Sequence, residues 1–486
     1  MSPRRKLALL RLTQASFRQR LLAILALALL ARLSVLVITG PILVRDSPAY
    51  LAVGENLIRH GALLEVDSFT GELRPHTFRT PGFPVFAALF YALFGPGTVA
   101  HWALCSGQVL LATAIAAVVI LLGRYAFSEQ IGLAAGLLSA LDPWLTYASV
   151  TVLSDALFCF VFMLTFFIGA VALRSGGMQA SLFWGASLGV STLVRPIAQL
   201  HFLLPIALFP LTAHSRRRKL ALVGLALAGF IALVGGWRLR NRLTTGYWDL
   251  ATHRGVSLLW RSAHLTRQSS TEDYRVDPKL AAARDLIAET AMALEDSPWE
   301  GRPGDRPHAA AVAFTALRKQ MGLSEREANR VMTLIALENL RHRPLCVVGN
   351  AASNALTFFT DVSMPVELAW ALGLAKQGVV ESLSEGRYAY PLLNASLRLG
   401  TILCFGPLLA IGMVSAWRRF PGSRQLLLCL AGALALHLVT VGLVQGEDRY
   451  RLPLHGAMWP FVVCGASASW RSFRPRLRHR GGRPSS

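Results

Sequence analysis

Acidic residues are scarce in this 486-residue chain: 27 aspartates and glutamates stand against 49 lysines and arginines, and charged residues of both signs make up only 16%. A hydrophobic content of 53%, in apolar stretches spread over most of the length, excludes a soluble globule built around one core. Cysteine is scarce as well, with six residues and no CxxC pair. Cys105, Cys159, Cys404, Cys429 and Cys464 fall in apolar runs and only Cys346 in a polar region, so neither a disulfide framework nor a cysteine zinc site is available. Repeats and low-complexity stretches are absent, apart from an Arg-rich tail after Trp470.

What the chain does have is apolar sequence in runs near the twenty residues that a bilayer demands. Spans are predicted at about 21–44, 100–123, 130–148, 155–173, 180–195, 197–213, 219–237, 391–416, 425–444 and 453–470. The first run is longer than a signal-peptide core and lacks a small-x-small cleavage pattern, so it is expected to stay as an anchor. The run 81–95 is too short and too bounded by Pro and Gly to cross, and reads as a re-entrant or interfacial helix.

Nearly all of the formal net charge of +22 lies in the first twenty residues, at Arg124 and Arg174, in the cluster 216–219, at Arg418, Arg419 and Arg424, and from Arg471 onward. These places alternate along the apolar runs as the positive-inside rule requires of short cytoplasmic loops. Basicity here encodes topology and gives no reason to expect nucleic acid as a partner. The expected organisation is a cytoplasmic basic tail (1–20), an N-terminal transmembrane module (21–237) with a first outer loop at 45–99, an outer helical domain (238–390), a C-terminal transmembrane module (391–470) and a second cytoplasmic tail (471–486). Within the outer domain, Asp277-Pro278, Pro307, the capping box Ser324-x-x-Glu327 and Pro344 each open a helix.

Asp46, Arg79, Asp155, Arg195, Arg449 and Arg451 all map to the outer boundary, where charges at membrane depth need a partner or a purpose. Taken singly, each reads as an ion pair or a side chain reaching for headgroups. On an extended stretch Arg449 and Arg451 would point the same way; on a helix they would not, leaving one of them structural. Glu55 and Asp67 read as solvated, and His76 and His101 lack a second metal ligand at helical spacing. Tyr50, Phe83 and Tyr450 suit sugar stacking or an interfacial aromatic belt, and Gly132-x-x-x-Gly136 and Gly185-x-x-x-Gly189 suit close packing of spans.

In order, the chain shows Asp46-x-x-x-Tyr50, Arg79-Thr80-Pro81-Gly82-Phe83-Pro84, Leu153-Ser154-Asp155-Ala156-Leu157, Leu193-Val194-Arg195-Pro196, Trp237-Arg238-x-Arg240-Asn241 and Arg449-Tyr450-Arg451-Leu452-Pro453. This series resembles the GT-C glycosyltransferases, specifically the bacterial group similar to dolichyl-phosphate-mannose protein mannosyltransferases and the aminoarabinose transferases of lipid A. The resemblance implies an all-α polytopic bundle of about ten spans with a small helical outer domain, multi-pass in the bacterial cytoplasmic (inner) membrane, with both termini cytoplasmic and the active site on the outer face. It implies transfer of a hexosyl- or pentosyl-type sugar from a polyprenyl-phosphate donor to a protein, lipid or polysaccharide acceptor. By the same resemblance Asp46 is the acidic base. Arginine suits a leaving phosphate because it stays protonated and offers a planar fork, so Arg449 and Arg451, then Arg79 and Arg195, are the donor-phosphate candidates. Asp155 is open to orienting a basic residue, holding the sugar or helping to bind a divalent cation, and Tyr50 and Tyr450 are sugar-facing candidates. No motif demands a cofactor, and metal dependence stays open: Thr80 stands where the family often has a second proline, and the first loop shows one clear acid where some relatives have two. The competing readings are a transporter or flippase of lipid-linked saccharides, and a non-catalytic scaffold.

Overall fold

The computed structural model describes residues 16–67, 70–260, 262–295, 308–374, 382, 388–443 and 448–480. Residues 1–15 of the first predicted basic tail, 481–486 of the second, and Pro307 lie outside these residues.

The chain enters its first helix, α1 (Phe17–Thr39), through a capping box at Ser16 and Gln19 and leaves it at Gly40, whose φ is 65°. A short amphipathic helix, α2 (Ser47–His60), follows, then a two-stranded antiparallel hairpin, β1 (Leu64–Val66) and β2 (Leu73–Pro75), with Leu64 opposite Pro75. The run read as interfacial is α3 (Gly82–Phe94), 13 residues long. Next come α4 (Thr98–Ala126), α5 (Glu129–Ala140), α6 (Pro143–Val150), α7 (Asp155–Ser175), α8 (Met178–Val194) and a 3-10 turn, Pro196–Phe202, running into α9 (Leu203–Leu208). α10 (Arg216–Thr245) carries the seventh predicted run well past residue 237, because no breaker intervenes before Gly246 at φ 71°.

A separate helical unit follows: α11 (Arg254–Leu259), α12 (Thr271–Val276), α13 (Pro278–Glu295), α14 (Ala309–Gln320) and α15 (Glu325–His342). Its own core gathers Leu259, Ile287, Leu317, Met332 and Ile335. α15 opens on the capping box that its sequence spells out, with Ser324 Oγ accepting from the Glu327 amide at 3.3 Å. α16 (Pro344–Thr360) and α17 (Ser363–Ala371) pack back onto the main bundle, where Phe358, Val362 and Leu368 join its core. The chain finishes with α18 (Ala389–Leu403), a π-helical turn at Cys404–Leu408, α19 (Leu409–Arg419), α20 (Arg424–Leu443) and α21 (Asp448–Arg480).

This is an all-α polytopic fold. Among the described residues, six helices are long and apolar enough to cross a bilayer: 17–39, 98–126, 155–175, 216–245, 389–419 and 421–441. Of the other predicted runs, 130–148, 180–195 and 197–213 are helical but shorter or interrupted, whereas 453–470 lies within the unbroken 33-residue α21. The run 130–148 breaks at Asp142-Pro143, because Asp142 caps a new helix there. Close crossings are made by glycine: a Cβ on Gly185 would sit 1.7 Å from the Ala226 carbonyl oxygen, so α8 and α10 touch backbone to backbone.

Candidate active site

The loop that bears Asp46 is pinned before the helix it opens. Leaving α1, Ile42 pairs with the segment just after α6: its amide donates to the Val150 carbonyl and its carbonyl accepts from Val152, both at 2.9 Å. Ser47, fully buried, donates to the Val152 carbonyl at 2.8 Å and accepts from the Val44 amide at 2.9 Å. The stretch that fixes Asp46 therefore leads, three residues on, into Asp155. The Arg-Thr-Pro-Gly motif is fixed in the same way to a different corner. Thr80 Oγ1 donates to the Val194 carbonyl at 3.1 Å. A Cβ on Gly82 would lie 2.8 Å from both the Leu193 oxygen and the Val194 Cα. Only glycine lets this loop lie flat on the corner that presents Arg195.

Two ion clusters result. In the first, Arg79 donates to Asp46 at 2.8 Å, its guanidinium lies 4.5 Å from the Tyr50 ring centroid, and Tyr50 meets Phe83 edge-on at 5.2 Å. Arg79 Nη1 is buried and makes no hydrogen bond among the described residues, whereas the Asp46 side chain keeps 42% of its surface open. Burial pushes the Asp46 carboxyl up, but Arg79, Arg449 and Arg45 together outweigh it and hold the group below the ordinary carboxylate range. In the second cluster, Asp155, buried at the start of α7, accepts from Arg195 and, at 3.2 Å, from Arg449. Arg195 in turn lies 5.5 Å from the Tyr450 ring centroid. Arg449 is within electrostatic reach of Asp46 as well, which joins the clusters. Among the described residues, Asp46 and Asp155 are thus paired with three guanidiniums, Arg79, Arg195 and Arg449.

Arg451 goes elsewhere. On α21 two residues subtend about 200°, so Arg451 turns away from its neighbour and is fully buried. Its guanidinium donates to the Phe358 carbonyl and, at 2.9 Å, to the Asp361 carbonyl, closing the C-terminal end of α16. Its Nε donates to His455 Nε2 at 3.0 Å, which requires the proton of neutral His455 to sit on Nδ1, where it is donated to Asp142 Oδ2 at 2.9 Å. Asp142 also accepts the amides of Trp144 and Leu145 as the N-cap of α6. Sequence reasoning missed this buried relay. Its available signals were Asp142-Pro143 inside an apolar run and His455 one turn after Arg451. It missed Arg32 too, a buried arginine in the first span that donates to the Ser139 carbonyl at 2.8 Å.

Asp67, expected to be solvated, is buried instead and accepts from Arg318 at 2.8 Å and Arg74 at 2.9 Å. The reason is the hairpin, which folds it against the helical unit. Glu65, His76 and Glu325 complete that cluster: His76 Nδ1 donates to Glu65, and Arg74 reaches both Glu65 and Glu325. The donor set does not suit a divalent cation. Among the described residues no three His, Cys, Asp or Glu side chains are placed to hold a metal ion, and both Asp155 oxygens are taken by guanidiniums.

The dolichyl-phosphate-mannose-protein mannosyltransferase family model matches residues 78–236, a stretch that holds Arg79, Asp155 and Arg195 but neither Asp46 nor Arg449. No curated protein sequence matches the chain. Among solved structures, the archaeal oligosaccharyltransferase AglB from Archaeoglobus fulgidus, in complex with an inhibitory peptide and a dolichol-phosphate, superposes with a TM-score of 0.47 and 12% identity over 96% of this chain and 52% of its own. ArnT from Cupriavidus metallidurans bound to undecaprenyl phosphate superposes with a TM-score of 0.39 and 14% identity, over 96% of this chain and 81% of its own. The chain thus spans about half the length of the archaeal oligosaccharyltransferase it matches. By its motifs and by the match over residues 78–236, the chain resembles the GT-C glycosyltransferases of the dolichyl-phosphate-mannose-protein mannosyltransferase type.

Proposed function

We propose that this protein transfers a sugar from a polyprenyl-phosphate donor to an acceptor hydroxyl on the outer face of the bacterial cytoplasmic membrane, by single displacement with inversion at the anomeric carbon. The observation that carries the reading is the buried, hydrogen-bond-free Nη1 of Arg79 beside the half-open carboxylate of Asp46, with the Arg195–Asp155–Arg449 clamp joined to it through Arg449. Clustered guanidiniums, one of them with an unsatisfied donor among the described residues, suit a phosphate oxyanion, whose charge grows as the glycosidic bond to phosphorus-bound oxygen breaks. Asp46 takes the acceptor proton while the acceptor oxygen bonds to the anomeric carbon, and polyprenyl phosphate departs toward Arg79, Arg195 and Arg449. A salt-bridged carboxylate is a weak base for an alcohol, so proton transfer comes late, when the leaving group has largely separated. Tyr50 and Tyr450 support the guanidiniums of Arg79 and Arg195 on their ring faces. Arg451, occupied by carbonyls, drops out of the phosphate-binding set, and no step is routed through a metal.

The test uses the purified full chain in nanodiscs, with undecaprenyl phosphate as the binding probe and polyprenyl-linked sugars with candidate acceptors for turnover. Asp46→Asn is expected to keep undecaprenyl phosphate binding and lose turnover by about 10²- to 10⁴-fold; undiminished transfer would remove Asp46 from the mechanism. Arg449→Ala is expected to weaken undecaprenyl phosphate binding by about tenfold or more. Movement of lipid-linked sugar across vesicles without product formation would favour a flippase instead.

A further inference from the structure

We infer that His253, supplied by the helical unit, is a further substrate-binding residue of this site: its Nε2 accepts a hydrogen bond from a hydroxyl of the substrate held beside Asp46 and Arg79. The inference rests on the functional reading above and extends it to a residue that lies outside every motif in the sequence and outside the stretch 78–236.

The geometry begins at Phe78, the residue before Arg79. The His253 ring and the Arg79 guanidinium both pack against the Phe78 ring, with centroid distances of 5.6 Å and 5.8 Å. His253 Nδ1 lies 2.6 Å from the Phe78 carbonyl oxygen. A carbonyl can only accept, so the imidazole proton sits on Nδ1, and the lone pair of the neutral ring is on Nε2. Nε2 makes no hydrogen bond among the described residues and is not sealed off, since the residue is partly exposed. The ring is within electrostatic reach of both Arg79 and Asp46. Burial pulls the imidazole below its ordinary value, the Phe78 bond opposes this, and Arg79 adds to the lowering, so the ring is neutral at neutral pH and keeps that lone pair. Next door, Thr252 donates its amide to the Thr77 carbonyl at 2.9 Å, which locks the two segments in register. The loop 76–79 is therefore held by the bundle on one side and by the helical unit on the other. The unit contributes an acceptor atom where the first loop contributes a carboxylate and a cation.

Two near-isosteric replacements separate docking from substrate binding. The side-chain amide introduced by His253→Asn reaches the position of Nδ1 and preserves the bond to Phe78, but puts nothing at the position of Nε2. The longer amide introduced by His253→Gln reaches the Nε2 position. With the full chain in nanodiscs, His253→Asn is expected to match the parent in thermal midpoint and in undecaprenyl phosphate affinity while losing about tenfold in kcat/KM. His253→Gln should recover part of that loss. A second measurement is independent of turnover: carbethoxylation of His253 by diethyl pyrocarbonate, mapped by mass spectrometry, should proceed in the free protein and slow when undecaprenyl phosphate carrying a sugar is bound. If His253→Asn turns over like the parent, or if modification is unaffected by a donor that demonstrably binds, the residue only docks the helical unit and the inference is overturned. If instead undecaprenyl phosphate fails to bind in any Arg449-dependent way, the functional reading falls, whatever His253 does.

Discussion

At the residue scale, the site depends on what surrounds each carboxylate. Asp46 keeps the open side that the proposed acceptor needs, and Arg79 and Arg449 hold it ionised against the opposing effect of burial. The sign of its pH dependence follows. A depressed folded-state value means that the ion pair stabilises above the unfolded-state value of about 3.9 and loses that contribution as pH falls through the lower folded value. The acid limb of turnover is thus expected below the ordinary carboxylate range. In Arg79→Ala, burial remains while the chief cation is gone, so the limb should move upward; a pH–rate profile of the variant with an unmoved limb would detach Arg79 from Asp46. Asp155 behaves differently because it is buried between Arg195 and Arg449. Asp155→Asn leaves two guanidiniums facing each other without a counter-charge, and breaking such a buried set costs about 3–5 kcal/mol. A large fall in thermal midpoint is expected, whereas Asp46→Asn, at a half-open position, should leave it nearly unchanged.

At the scale of elements, the motifs act as contacts between segments. Gly82→Ala is expected to push the Arg-Thr-Pro-Gly loop off the Val194–Arg195 corner, since the Cβ would meet backbone atoms that cannot rotate away. The variant should fold with reduced undecaprenyl phosphate affinity, and unchanged affinity would show that the loop and corner move independently. The order of motifs in the sequence was legible because each is short and local, and most are punctuated by Pro or Gly. Whether Arg449 and Arg451 share a face was not, because a three-residue stretch reads equally as helix or strand until its neighbours are placed. The helix settles it: Arg449 meets Asp155 and Arg451 closes α16. The Asp142–His455–Arg451 relay stayed hidden for another reason, since its first two members are separated by 313 positions and no local pattern links the two signals they leave in the sequence. Of the ten runs read from hydropathy, six fall in helices that are long and apolar enough to cross a bilayer among the described residues, and the break at Asp142-Pro143 shows that an apolar stretch of the right length can still be two helices.

At the scale of the whole molecule, the bundle and the helical unit are joined by charge across the hairpin. Arg74 lies at the centre, paired with Glu65 and Asp67 on its own hairpin and with Glu325 on the first turn of α15, while Arg318 of α14 reaches back to Asp67. The contact between Arg74 and Glu325 spans 251 positions, and no local pattern announces it. Removing Arg74 takes away the one guanidinium that, among the described residues, pairs with all three of these largely buried carboxylates. Glu325 also accepts from Thr252, the residue before His253, so the loss would propagate to the segment that sits on Phe78. Arg74→Ala is therefore expected to loosen the seat of the helical unit while the bundle stays folded. Amide exchange should rise across 252–260 and 309–342, with the spans unaffected and little dependence on salt, because buried pairs are weakly screened. Exchange confined to the hairpin itself would mean that the apolar contacts between the two bodies hold them together without the charges.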